Sequence, residues 1–206
     1  MRRRHFDLAI PVSAWGTILC ASIAVGGCHV DPLQPAPLVV HDGDRLLVAD
    51  VIKGDEIVVA KGRETARVRL LGVFSFVHVG EPDPVIDLER AANTFLRGKV
   101  MGKTVTLNFG REPKDPHGRY LAYVSMDGKD LNREMIREGL VLTYTEFGVE
   151  REPDYLAAEA QSRAERRRIW SKPEVAPIIR RLRHQWAQSR WDSLKTRPQD
   201  PLLANP

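Results

Sequence analysis

The sequence predicts an α+β fold that is mainly β: five short strands, three helices, and an amphipathic helix appended at the C-terminus. Three observations carry this expectation. Five β-rich runs between residues 45 and 124 are separated by Gly-, Lys- and Pro-containing turns. Three stretches, beginning at 87, 130 and 154, change to the helical period. The length of 206 residues suits one ordinary domain with extensions and not two full-sized ones. A hydrophobic share of 43% beside 28% charged residues excludes a chain too polar to bury a core.

The formal net charge of +4 sits at the ends. Arg2, Arg3 and Arg4 outnumber Asp7 at the start, and Arg180, Arg181, Arg183, Arg190, Lys195 and Arg197 outnumber Glu174, Asp192 and Asp200 after 173. The body between is close to neutral. That argues against a protein that coats nucleic acid by charge alone, and it leaves room for a local cationic pocket.

In chain order, the three arginines followed by an apolar run from Leu8 to Val25 read as a secretory signal, residues 1–27. The run is interrupted by Pro11, Ser13 and Gly16 and falls short of the roughly 20 predominantly apolar residues of a spanning helix. Val25-Gly26-Gly27-Cys28 resembles the lipobox of bacterial lipoprotein signal peptides, which makes Cys28 the lipidated first residue of the mature chain. An uncleaved anchor helix is the alternative, and both place the protein at a membrane of the cell envelope, facing the periplasm or exterior. Cys20, the other of the two cysteines, leaves with the signal, so the mature body has no disulfide. Residues 28–44, with Pro32, Pro35 and Pro37, read as a Pro-rich linker.

The body, 45–172, opens with Leu46–Ile52, Glu56–Ala60 and Ala66–Val73, a meander with turns at Lys53-Gly54-Asp55 and Lys61-Gly62. Between Asp87 and Arg97, Leu88, Ala91, Ala92, Phe95 and Leu96 share one helical face, and Gly98 is placed to end the helix. Val105–Phe109 and Tyr120–Val124 are two more strands. Asp130–Glu138 is a short helix closed by Gly139, and Asp154 is placed to cap a last helix with Leu156, Ala160 and Ala164 inward. Five strands with these helices fit an OB-type barrel. Residues 173–206 form a basic C-terminal helix and tail.

The order of motifs narrows the reading. Ile52-Lys-Gly-Asp55, Val68-Arg69-Leu70-Leu71-Gly72-Val73, Gly102-Lys103-Thr104-Val105, Asp115-Pro-His-Gly118-Arg119-Tyr-Leu-Ala-Tyr123, Asp127-Gly-Lys-Asp-Leu131-Asn132, Ile136-Arg137-Glu138-Gly139-Leu140, Glu159-Ala160 and Ile169-Trp170 follow one another across 46–172. Together they resemble the staphylococcal nuclease (thermonuclease) family. The resemblance implies a five-stranded OB barrel with three helices. It also implies hydrolysis of phosphodiesters by calcium held on carboxylates, a glutamate as general base, and two arginines on the phosphate. Guanidinium suits that last task because it meets phosphate through two parallel, permanently charged hydrogen bonds.

Carried onto this chain, the resemblance makes Arg69 and Arg119 the phosphate arginines and Asp55 the first metal aspartate. Asp42-Gly43-Asp44 lies too far upstream of Arg69 for that role. The family's Asp-Thr/Ala-Pro-Glu, with the second metal carboxylate and the base, is here Phe74-Ser75-Phe76-Val77. Phenylalanine offers no oxygen to a hard cation, and valine accepts no proton. The tyrosine two residues before the second arginine is His117, a polar ring at the phosphate subsite.

Without its partner, Asp55 equally reads as a turn residue. Glu81 and Asp83, just beyond Val77, are the carboxylates that a loop shift would bring back. Phe74 and Phe76 either fill the emptied pocket or form a stacking platform for bases. The C-terminal stretch Ile178–Leu194, with Ile179, Leu182, Trp186 and Ala187 on one side, packs on the barrel or lies on an anionic surface through its arginines and tryptophans. No zinc spacing or Gly-rich phosphate loop occurs.

The expected function is therefore binding of nucleic acid or phosphate ligands through Arg69 and Arg119, with calcium-dependent hydrolysis impaired or lost. The alternatives are an active endonuclease or phosphodiesterase with carboxylates resupplied by Glu81 or Asp83, and a structural or protein-interaction module. Nucleic acid or nucleotide phosphate is the expected ligand, and the membrane is engaged through lipidated Cys28.

Overall fold

A computed structural model of the chain describes residues 36–76 and 83–196, all in the unit Pro35–Pro206, with residues 83, 84 and 196 described by backbone alone. The signal, Cys28, Val77, Glu81 and the tail after 196 lie outside the described residues. So does the side chain of Asp83.

Strand β2 (Arg45–Lys53) turns Leu46, Val48 and Val51 inward, and a register shift between Val48 and Asp50 bends it around the core. The Gly54-Asp55 turn returns the chain as β3 (Glu56–Lys61), with Ile57 and Val59 inward. Strand β4 (Glu64–Leu70) follows, with Ala66, Val68 and Leu70 inward. Strands β6 (Thr104–Lys114) and β7 (Tyr120–Met126) continue from β2 in antiparallel pairs. Parallel pairing of β4 with β7, Val68 opposite Tyr120 and Leu70 opposite Ala122, closes the five strands into a barrel. This is the predicted OB-type architecture: the inward apolar side chains have no other place to avoid water, and closure leaves no open sheet edge.

The linker expectation fails for its last nine residues. Strand β1 (Ala36–Pro37) pairs with β4, Leu38 and Val40 are buried, and the Val40 N–H donates to the Tyr120 hydroxyl at 3.0 Å. Burial of two apolar side chains outweighs the proline-rich composition, so the barrel domain begins upstream of 45. Asp42-Gly43-Asp44 is a turn there, with Asp42 accepting from the Phe109 N–H.

Beside the barrel, β5 (Val73–Phe74) pairs with β9 (Leu142–Thr143), and β8 (Lys129–Asp130) extends the edge at β7. Helix α1 (Asp83–Val100) buries Leu88, Ala92 and Leu96 as expected. It runs through Gly98 and stops at Gly102, whose φ of +69° suits the missing Cβ. Helix α2 (Leu131–Arg137) starts on an Asp130 cap and ends at Gly139 (φ +68°).

Helix α3 (Glu152–Ala164) differs from expectation. Its N-cap is Arg151, Asp154 lies inside the first turn, and the buried stripe is Tyr155, Ala158 and Ser162 while Leu156 is 40% exposed. The Tyr155 hydroxyl reaches the Asp130 carboxylate (3.0 Å), and that contact rotates the helix away from its most hydrophobic side. Two 3-10 turns (Arg168–Ser171 and Pro173–Val175) lead to α4 (Ala176–Thr196), which buries Leu182 and Trp186 against the domain. Ala187, expected inward, is exposed.

Candidate functional site

The β2–β3 turn is the centre of the site. Gly54 lies against α1 so closely that a Cβ there would meet the Ala92 Cβ at 2.6 Å, which fits only glycine. Its N–H donates to Glu89 Oε1 on α1 at 2.8 Å. Next to it, Asp55 is 1% exposed, with Oδ2 3.5 Å from Arg69 Nη2 and accepting from the Ser75 N–H at 3.4 Å. Glu56 follows, fully buried. It stands opposite Arg69 in the β3–β4 register and is paired with Arg67 and Arg119.

The two predicted arginines thus meet adjacent carboxylates. Arg69 contacts Asp55, and its guanidinium lies 5.8 Å from the Tyr144 ring centre. Arg119 Nη1 donates to Glu56 Oε2 at 2.9 Å, and its Nη2 sits 2.6 Å from Asp115 Oδ2. Buried charges need such partners, because desolvation without them costs several kcal/mol, on the order of the whole stability of a domain.

Asp115 brackets its own turn, accepting from the N–H groups of His117 (2.9 Å) and Arg119 (3.0 Å). Burial pushes its carboxyl up, but the Arg119 contacts and these N–H groups outweigh it and hold the group below the ordinary range. Reciprocally, Arg119 loses some basicity to burial and regains more from Asp115 and Glu56. His117 stands exposed at the tip of that turn, its ring on the outside.

Phe74 and Phe76 are buried, at 7% and 1% exposure, so the stacking-platform alternative does not hold. Phe74 lies 4.9 Å, centre to centre, from Trp186 and 5.7 Å from Tyr144. At the next residue, the Ser75 hydroxyl contacts Glu89, which therefore touches both the Gly54 turn and the segment that follows β5. The reading of the sequence missed Glu89, Glu56 and Asp115. Asp115 had a signal, an aspartate opening a tight turn four residues before an arginine. Glu56, on a strand facing arginines two registers apart, had a weaker one. Glu89 lies 35 residues from Gly54 and had none. Among the described residues no three His, Cys, Asp or Glu side chains gather as a metal-holding group.

Comparisons agree with this architecture. The family model described as staphylococcal nuclease homologue matches residues 67–172, about half of the chain. A thermonuclease of Staphylococcus intermedius is 39% identical over 98 residues, covering 48% of this chain and 58% of that relative, less than two thirds of its length. An uncharacterized endonuclease of Escherichia coli is 29% identical over 131 residues, 63% of this chain and 79% of the relative. Endonuclease YhcR of Bacillus subtilis is 28% identical over 156 residues, 68% of this chain but 12% of that much longer protein. A closed barrel with its arginines on β4 and before β7, read with these matches, places the chain in the staphylococcal nuclease homologue family.

Proposed function

We propose that this nuclease-family barrel retains a phosphate-holding site at Arg69 while its calcium-dependent hydrolysis is impaired or lost. The observation that carries the reading is Phe74. At the place of the family's second metal carboxylate the chain presents a buried ring in an aromatic cluster, which supplies no oxygen. Of the remaining candidates, Asp55 is engaged by Arg69 and Ser75, and Glu89 by Gly54 and Ser75. These residues do not fit a calcium ion as the family holds one, so no step is routed through it. Loss of a general base alone costs roughly 10²–10⁴ in rate, and Val77 offers none.

Binding has better support. Arg69 is anchored by Asp55 with its side chain 19% exposed, and a guanidinium is the group suited to a phosphate of single-stranded DNA or RNA, while the Tyr144 ring lies over it. Arg119, 8% exposed, holds Glu56, which follows Asp55 at the start of β3. A second reading, a structural or protein-interaction module, is favoured by one feature: both flanks of Arg119 are taken by Asp115 and Glu56.

Cleavage of fluorescent single-stranded DNA and RNA by the purified chain, in calcium and in EDTA, tests the first claim. The expected result is equal, background turnover in both. Calcium-dependent turnover at the rate of an ordinary nuclease overturns it and turns attention to Glu81, Asp83 and Glu89. Oligonucleotide binding that is lost in Arg69→Ala supports the phosphate site, and binding by neither form supports the structural module.

The reading includes a place in the cell: anchorage to an envelope membrane through lipidated Cys28. It rests on Arg2-Arg3-Arg4, the apolar run and Gly26-Gly27-Cys28. Expression of Cys28→Ser should move the protein from the membrane to the soluble fraction; retention at the membrane sinks the lipid anchor.

A further inference from the structure

Helix α4 begins at Ala176, beyond the family match that ends at 172, yet it covers the segment nearest the arginine site. Trp186 is 4% exposed, its ring centre 4.9 Å from Phe74 and 5.0 Å from Tyr144, edge-on to both. Two arginines clamp the helix on either side of that ring. Arg183 donates to the Thr143 carbonyl at 2.7 Å and pairs with Glu159; Arg190 donates to the Thr145 carbonyl at 3.2 Å and to Glu152 at 2.7 Å. Residue 144, between these carbonyls, carries the ring that faces Arg69.

From this geometry we propose that α4 is a built-in cover of the arginine site, seated on Phe74 through Trp186 and controlling access to Arg69. It rests on the phosphate-holding reading above and adds its regulation. A carboxylate at position 74 would be pressed, unpaired, into the rings of Trp186 and Tyr144, an arrangement desolvation forbids. The side chain that stands where the resemblance expects a metal carboxylate is therefore also the seat of α4. Tyr144 couples the two, with Arg69 on one side and Trp186 on the other. While α4 is seated, Tyr144 is held over Arg69; when the helix lifts, the ring is free to turn away and a phosphate oxygen can reach the guanidinium.

The test uses the full chain and two measurements, hydrogen exchange of α4 and anisotropy binding of a fluorescent short single-stranded DNA in EDTA. Trp186→Ala should open exchange across 176–196 while the barrel strands stay protected. If a tenth of wild-type molecules are open, it should also tighten binding about tenfold, since apparent affinity scales with the competent fraction. Trp186→Phe should keep both properties near wild type, and adding Arg69→Ala to Trp186→Ala should abolish the gain. Should Trp186→Ala fail to fold, Arg183→Ala with Arg190→Ala loosens the same helix from its two flanks. Unchanged exchange in the loosened variants overturns the seat. An open helix with binding equal to a measurable wild-type affinity overturns the cover and leaves the phosphate site standing. An open helix with no binding in any form overturns both.

Discussion

Arg119 joins two of the site's carboxylates. Its guanidinium bridges Glu56, which has no exposure to water, and Asp115, which belongs to the turn that presents the arginine. Asp115 titrates below its ordinary value of 3.8, because the Arg119 hydrogen bonds outweigh the opposing effect of burial. The sign follows. A carboxyl whose folded pKa is depressed adds stability above its unfolded value, and that stability is lost as pH falls through the folded value. Urea midpoints measured from pH 7 down to pH 3 should therefore fall below about pH 4 in the wild type. Asp115→Asn should start lower at pH 7 and fall less steeply; an identical slope would remove Asp115 from the acid response. Asp115 needed only its own turn to be read, whereas Glu56 needed its partner 63 residues away.

At the scale of elements, Asp130 joins three of them. It caps α2 by accepting from the Arg133 N–H at 2.9 Å, pairs with Arg151 before α3, and accepts from the buried Tyr155 hydroxyl. Burial and this neighbouring carboxylate push the Tyr155 phenol far above its ordinary range, so it remains a donor at every accessible pH. Loss of the cap costs about 1 kcal/mol, and an orphaned buried hydroxyl about 1–3 kcal/mol more. Asp130→Ala should thus destabilise by about 2–4 kcal/mol in chemical unfolding. Asp130→Asn, which still caps and accepts, should cost less than half of that, and equal losses would refute the division. The same contact explains why the buried face of α3 is misread from sequence. The pattern of α3 favours Leu156, but the Tyr155 hydroxyl has a partner only if Tyr155 faces α2.

At the scale of the whole domain, the described residues form two apolar cores side by side. One fills the barrel. The other gathers Phe74, Phe76, Leu142, Ile169, Val175, Leu182 and Trp186 beneath α4. The second core takes in Phe74 and Phe76, and burial of a ring such as Phe74 is worth about 2 kcal/mol. Arginine-rich helices invite a reading as surfaces for anions, yet Arg183 and Arg190 turn inward to carbonyls and carboxylates of the domain. The outer face of α4 keeps Arg180, Arg181 and Trp191 exposed.

The sequence by itself determined where the five barrel strands run, which of their positions turn inward, where α2 starts and stops, and that residues 74–77 carry no carboxylate. All of these are written in local chemistry: side-chain period, turn residues, and the presence or absence of an oxygen at a given place. Only the tertiary structure decided that β1 belongs to the barrel, that Glu89 reaches the Gly54 turn, that Arg119 is shared between Glu56 and Asp115, and that Phe74 is the seat of α4. Those outcomes depend on pairs up to 112 residues apart in sequence, such as Phe74 with Trp186. Which of several apolar or charged partners a side chain meets is settled by barrel closure and competition for burial, and no local pattern records that choice.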